Sequence, residues 1–276
     1  RSSALVVRSA PVLLAGDIGN ANIVFGLYSG RELVQTFRFA TVHTRTADEY
    51  GVLLHQLLSL RTADPRKVDA SIMASVVPPL TDVMSEAIRH AVGQVPLVVG
   101  PGTKTGISIV YDHPRDVGAD RIVNAVAAFE RFKSGAIIVD FGTATTFDCV
   151  SPKAEYLGGV IVPGVRVSLD ALLGKAAKLS RIEIAEPPQV VGQNTTHALQ
   201  SGIVYGYASL VDGLVRKLKA ELGFPCHVLA TGGLAPLIVK HCEMVEGIDD
   251  HLTLEGLRIL HERNGKAEAQ RGQAAQ

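Results

Sequence analysis

Residues 13–26 read LLAGDIGNANIVFG: an apolar run, a tight polar turn at Asp17-Ile18-Gly19-Asn20, and a second apolar run. Residues 136–149, AIIVDFGTATTFDC, repeat that pattern with Asp140 in register with Asp17. Each reads as a strand, a turn and a returning strand. In the first half a turn at Ser29-Gly30 leads into a strand-like stretch from Glu32 to Phe39, and in the second the meander continues through Phe147, Tyr156 and Gly158-Gly159. A second pair follows in the same order, ASVVPPL at 74–80 and ATGGLAPL at 230–237. Two matched motif pairs in one order imply a duplicated α/β domain, not a single doubly wound sheet. The expected division is 12–132 and 133–264, with a polar, aperiodic tail at 265–276 expected to be disordered.

Between these motifs the helices announce themselves. Thr46-Ala-Asp-Glu49 is a capping box, followed by Tyr50, Leu53, Leu54, Leu57 and Leu58 on one helical face until Asp64-Pro65. A short strand, 70–75, leads through the VVPPL segment into a helix expected at 81–91. Gly118-Ala119-Asp120-Arg121 opens another, with Ile122, Val123, Val126 and Ala127 as its apolar face. A long helix is expected at 195–222, with Ile203, Leu210, Leu214 and Leu218 on one side. A strand at 227–230 then leads into a last helix from Pro236. In the long helix Gly202 and Gly206 stand four apart and apolar residues spread over more than one face. That width predicts a second apolar surface for a partner subunit, or burial between two layers of one chain.

Composition narrows the classes. Twenty-seven basic residues balance 27 acidic ones among 276, with no basic block, so neither nucleic acid nor an anionic membrane is an expected partner. The apolar stretch at 4–15 is broken by Arg8 and Pro11 and runs into the first motif, so it is not read as a signal peptide. No run approaches the roughly 20 apolar residues that span a bilayer. Cys149, Cys226 and Cys242 lack CxxC spacing and read as reduced thiols of a cytoplasmic protein.

The turns carry the chemistry. Gly19 has no Cβ, so main-chain N–H groups can approach a phosphate, with Asn20 and Asn22 adding amide donors. Asp17 can hold an ATP-bound cation directly or through water. The second turn, Asp140-Phe-Gly-Thr143-Ala-Thr145-Thr146, substitutes hydroxyls for amides. Either turn alone reads equally well as a plain hairpin. Paired in two repeats, they fit a nucleotide gripped in a cleft between domains. Thr231-Gly232-Gly233 would let a flat base or ribose approach the backbone. Asp120 suits a helix start in its own right, and it could also accept the proton of an attacking hydroxyl while Arg121 clamps an anionic group. No GxxxxGK[ST] sequence occurs, nor a working HRD/DFG set.

Taken together, DIGNANIVFG, YDHPRDVGADRIVNA, DFGTATTFD, YLGGVIVPG, QSGIVYGY and ATGGLAPL resemble the type III pantothenate kinases across residues 13 to 264. The resemblance implies duplicated ribonuclease-H-like domains of the actin/hexokinase/Hsp70-like ATPase superfold. It implies phosphorylation of pantothenate by ATP, the first step of coenzyme A synthesis. By it, ATP would be bound by Asp17, Ile18, Gly19, Asn20, Ala21, Asn22, Ile23, Val24 and Thr143. Asp140 would hold a monovalent cation, potassium or ammonium, and magnesium would accompany ATP. Asp120 would be the general base, and pantothenate would meet Tyr111, Gly118, Ala119, Asp120, Arg121 and Thr195. Thr195 would complete a neighbour's site, implying a homodimer. His113, Gln193 and His197 depart from the family pattern, at the dimer-side edge of the acceptor site. Two other readings are a kinase for another small alcohol and a non-catalytic regulator. Loss of Asp17, Asp120 or Asp140 would favour the regulator, and all three are present.

Overall fold

The computed structural model describes residues 10–61, 64–176, 179 and 181–274, so residues 4–9 of the first apolar stretch lie outside the described residues. The chain opens with strands β1 (Val12–Ile18), β2 (Asn22–Ser29) and β3 (Glu32–Ala40), then α1 (Ala47–Arg61), β4 (Ala70–Ser75) and α2 (Pro78–Val92). Short strands β5 (Leu97–Val98) and β6 (Ser108–Ile109) precede α3 (Ala119–Phe132). Next come β7 (Gly135–Phe141), β8 (Ala144–Val150), β9 (Glu155–Pro163), α4 (Val165–Lys175) and the long α5 (Thr195–Leu222). The chain closes with β10 (Cys226–Thr231), one-turn α6 (Ala235–Ile238), β11 (Gly247–Ile248) and α7 (Leu252–Ala274).

The duplication is plain in the sheets. One has the order β3-β2-β1-β4-β5. The other runs β9-β8-β7-β10-β11 with β6 added outside β9. In both, the first strand pairs antiparallel with the second and parallel with the fourth. Asp17 lies opposite Val24 and beside Ala74, while Asp140 lies opposite Thr146 and beside Thr231. The chain divides into two compact units, one of residues 1–106, 115–127 and 253–276, the other of 107–114 and 128–252. These units are not contiguous, unlike the linear division at 132/133. Residues from 253 onward group with the first unit because Gly256 packs against α3, where an added Cβ would lie 2.2 Å from the Val123 carbonyl oxygen.

In the first unit one sheet face is sealed by α1 and α2. Leu14, Ile18, Ile23, Phe25 and Leu27 meet Tyr50, Leu54, Leu58, Leu80, Met84 and Ile88 in one buried cluster. The capping box forms as its sequence demands: Glu49 accepts from Thr46 N at 2.8 Å, and Thr46 Oγ1 accepts from Glu49 N at 3.3 Å. The second helix starts at Pro78, earlier than 81, since proline suits the first helical turn. In the second unit Ile137, Val139, Phe141, Phe147, Cys149, Val228 and Ala230 pack under α5.

Other elements differ in extent from the sequence expectation. α7 is drawn as far as Ala274, through Lys266-Ala-Glu-Ala-Gln, all good helix formers. The helix from Pro236 is a single turn followed by a 3₁₀ turn at Val239–His241. The width of the apolar surface on α5 does not leave a spare face. Ile203, Val204, Tyr207, Val211 and Val215 are buried in the unit's own core, with Leu210, Leu214 and Leu218 packed at its margin. Along its first half α5 turns small residues outward: Ala198, Gly202, Gly206 and Ser209 are exposed, and Cβ atoms at Gly202, Gly206 and Gly213 would meet open space, while Arg216, Lys217 and Glu221 are exposed toward its end.

Candidate active site

The Asp17 turn is shaped by its own backbone. Gly19 N donates to Asn22 O at 3.0 Å, and a Cβ on Gly19 would lie 2.9 Å from that oxygen. Thr41, just past β3, pins the turn by donating its hydroxyl to Gly19 O at 2.6 Å and its N–H to Ala21 O at 3.1 Å. Asn20, Ala21 and Asn22 are left exposed. Ile18 and Ile23 are fully buried, so they can offer a ligand only main-chain groups.

At the same end of this sheet, Val76 N donates to Ile18 O at 3.1 Å. Gly118 lies against Val76: a Cβ there would sit 3.7 Å from Val76 Cγ1 and 2.6 Å from Asp120 Oδ1. Only glycine lets the Asp120 carboxylate fold back at the start of α3, where its Oδ1 accepts from Arg121 N at 2.8 Å. Asp17, the β4–α2 connection and Gly118–Arg121 thus gather at the carboxyl ends of β1 and β4, the usual ligand edge of such sheets. Asp120 is half-buried, and burial pushes its carboxyl above the ordinary aspartate range, opposed by the Arg121 N–H and the Arg121 charge.

In the second unit three segments converge on Asp140. Gly142 N donates to Ala144 O at 3.1 Å, closing the hairpin, and Gly164 N donates to Thr143 O at 3.1 Å. A Cβ on Gly164 would lie 2.1 Å from Thr143 O. Gly232 has φ +95°, and a Cβ there would lie 2.7 Å from Asp140 Oδ1 and 2.7 Å from Phe141 O. Gly232 therefore makes room for the Asp140 carboxylate, a role the reading of the glycine pair as a base or ribose platform missed. Thr143 is exposed at the tip. Asp140 Oδ1, Phe141 O and Phe141 N all lie 2.7 Å from where a Cβ on Gly232 would stand, and the two oxygens are of the kind that hard cations take as ligands. Among the described residues no group of three or more His, Cys, Asp or Glu side chains could hold a metal ion.

Tyr111, also in the second unit, lies with its ring edge over Gly158, where a Cβ would be 3.2 Å from Tyr111 Cε2. Its ring centroid is 6.3 Å from that of Tyr156. Thr195 is the first residue of α5 and exposed, after Asn194, whose side chain accepts from His197 N at 2.9 Å. No sequence motif marks the roles of Thr41 and Gly164 directly. The PG ending of YLGGVIVPG was the available signal for Gly164; Thr41 had none.

The family model of the type III pantothenate kinases matches residues 13–217. A type III pantothenate kinase of Anaeromyxobacter sp. (strain Fw109-5) is 56% identical over 253 residues, covering 92% of this chain and 100% of that protein. One from Myxococcus xanthus (strain DK1622) is 53% identical over 253 residues, covering 92% and 99%. Among solved structures, a conserved putative Baf family transcriptional activator from Campylobacter jejuni superposes with TM-score 0.55 at 18% identity, covering 92% of this chain and 99% of that one. The ethanolamine utilization protein EutJ from Carboxydothermus hydrogenoformans gives 0.50 at 13% identity, covering 91% and 90%. At these identities the solved structures speak to the fold alone, an actin/hexokinase-like ATPase fold. With the sequence matches spanning nearly its whole length, the chain belongs to the type III pantothenate kinase family.

Proposed function

We propose that the chain transfers the γ-phosphoryl group of ATP to the primary hydroxyl of pantothenate, giving 4'-phosphopantothenate and ADP, the first step of coenzyme A biosynthesis. The acceptor is the one for which the relatives are named. The observation that carries the chemistry is Asp120, folded back over Gly118 with its pKa raised. Asp120 takes the hydroxyl proton as the oxygen bonds to the γ-phosphorus and the bond to the β-phosphate oxygen breaks. Phosphoryl transfer otherwise needs positioning and charge neutralisation. Arg121 clamps the acceptor carboxylate, and Tyr111, Gly118, Ala119 and Thr195 bound the acceptor. Asp17 would hold the magnesium that accompanies ATP, residues 18–24 would offer main-chain and amide donors to its phosphates, and Thr143 would add a hydroxyl. Asp140 and the Phe141 carbonyl would hold a potassium or ammonium ion, which supplies positive charge against the phosphates. Phosphorus NMR of the reaction mixture checks the reading: a new phosphomonoester resonance coupled to the acceptor methylene is expected, and ADP formation without it would contradict the assignment.

No helix among the described residues is long and apolar enough to cross a membrane. The reduced thiols of Cys149, Cys226 and Cys242 and the use of ATP suit a cytoplasmic enzyme. The enzyme is further proposed to act as a homodimer. Open space over Gly202, Gly206 and Gly213 admits close approach of another helix, and Val190 and Val191 are 64% and 78% exposed just before α5. Thr195 begins that helix. Thr195→Ala is expected to raise the KM for pantothenate about tenfold and that for ATP by far less, as loss of one hydrogen bond in the acceptor site would. Light scattering that finds a fully active monomer would refute the shared site.

A further inference from the structure

A row of polar side chains crosses the face of the second sheet opposite α5. Asp140 pairs across the ladder with Thr146, and Thr146 and Asp148 alternate along β8, so all three share a face. Thr146 Oγ1 donates to Asp148 Oδ2 at 3.2 Å, and Tyr156 Oη donates to Asp148 Oδ1 at 2.8 Å. Asp148 and Tyr156 are both 0% exposed. A carboxylate so deeply buried is costly unless hydrogen-bonded, and those donors hold it in place.

Tyr156 reaches this face because of a register shift. Asp148 pairs with Gly159 and Cys149 with Gly158, but Val150 pairs with Tyr156, leaving Leu157 as the extra residue. Unshifted pairing would set Leu157 opposite Val150, on the face of Asp148. The bulge gives that place to Tyr156 and lets Leu157 pack into the core under α5. Gly158, at φ +102°, is the left-handed residue of the bulge, and Tyr111 lies against its bare Cα. The Tyr111 ring is thus bounded by Gly158 and by a Tyr156 ring whose hydroxyl is fastened to Asp148.

We propose that Asp148 and Tyr156 are positioning residues for acceptor binding. Through the bulge at Leu157-Gly158 they fix where the Tyr111 ring stands, and so where the acceptor chain packs. This rests on the assignment of Tyr111 to the pantothenate site. Two readouts separate the claims. The chain has no tryptophan, so Tyr111→Trp creates a sole reporter at the platform. In ligand-free protein, adding Tyr156→Phe to Tyr111→Trp should enlarge the fast component of its fluorescence anisotropy decay. Identical decays would overturn the proposal. In steady-state kinetics, Tyr156→Phe alone should raise the pantothenate KM about tenfold, with kcat and the ATP KM within about twofold. Equal rises in both KM values would mean a general loss of structure and overturn it too. Asp148→Asn should repeat the acceptor-only effect. Should that variant fail to fold, Tyr156→Phe, which deletes one oxygen atom, carries the test. If the unmodified protein makes no product from pantothenate, the acceptor assignment falls, while the anisotropy pair still decides whether Tyr156 positions Tyr111.

Discussion

If Asp120 is the base, Asp120→Asn is expected to lower kcat by about 10²-fold or more, with ATP affinity little changed, because the side chain keeps its shape and loses its ability to take a proton. The amide oxygen can still accept the 2.8 Å hydrogen bond from Arg121 N, so the start of α3 should stand. The pH dependence supplies a second signature. The base works deprotonated, and burial raises its pKa, so the acid limb of kcat/KM should lie above the value near 3.9 of an exposed aspartate. In Asp120→Asn that limb disappears. The stability effect has the opposite sign. A carboxyl whose folded pKa is raised favours the fold below its unfolded pKa, and this advantage is lost as pH rises through the folded value. At neutral pH the variant should therefore melt no lower than the parent. Near-normal turnover in the variant would remove Asp120 from the role of base.

Activity should rise about tenfold or more with potassium or ammonium and not with sodium, a barrier difference of about 1.4 kcal/mol or more. The reason lies in the rigidity of the Asp140 surroundings. The carboxylate is held at the end of β7, between Thr146 on β8 and Thr231 on β10, and the Phe141 carbonyl is fixed by the same strand end. Donors set by a ladder do not close readily around a smaller ion. Asp140→Asn should flatten the potassium response. Gly232→Ala should lose activity as well, since its Cβ would fall 2.7 Å from the carboxylate on a backbone at φ +95°. Equal turnover in sodium-only buffer would sink the cation assignment.

The features written in short-range chemistry were legible in the sequence. The β-meanders, the Thr46–Glu49 capping box, β4 and both ends of α5 follow from local alternation, capping and periodicity. The duplicated sheet order was legible because the same motifs occur twice. What long-range packing decides was not. The mean periodicity of α5 could not say that Ile203, Tyr207 and Val211 serve the unit's own core, leaving the glycines outside. The place of α7 depends on Gly256 meeting Val123, a contact made far along the chain. Gly232 reads as any turn glycine until Asp140 is seen against it. The Leu157 bulge, which brings Tyr156 to Asp148, is one residue of register that no alternation pattern marks.

The central claim is tested most directly by a coupled assay of ADP release over a panel of small alcohols, including pantothenate and simple sugars, with and without potassium. The account predicts turnover with pantothenate in potassium buffer and little with any other acceptor. Preferred turnover of a sugar would contradict the acceptor assignment. No turnover with any alcohol, in a protein that still binds ATP, would contradict catalysis itself and favour a regulator built on the same fold.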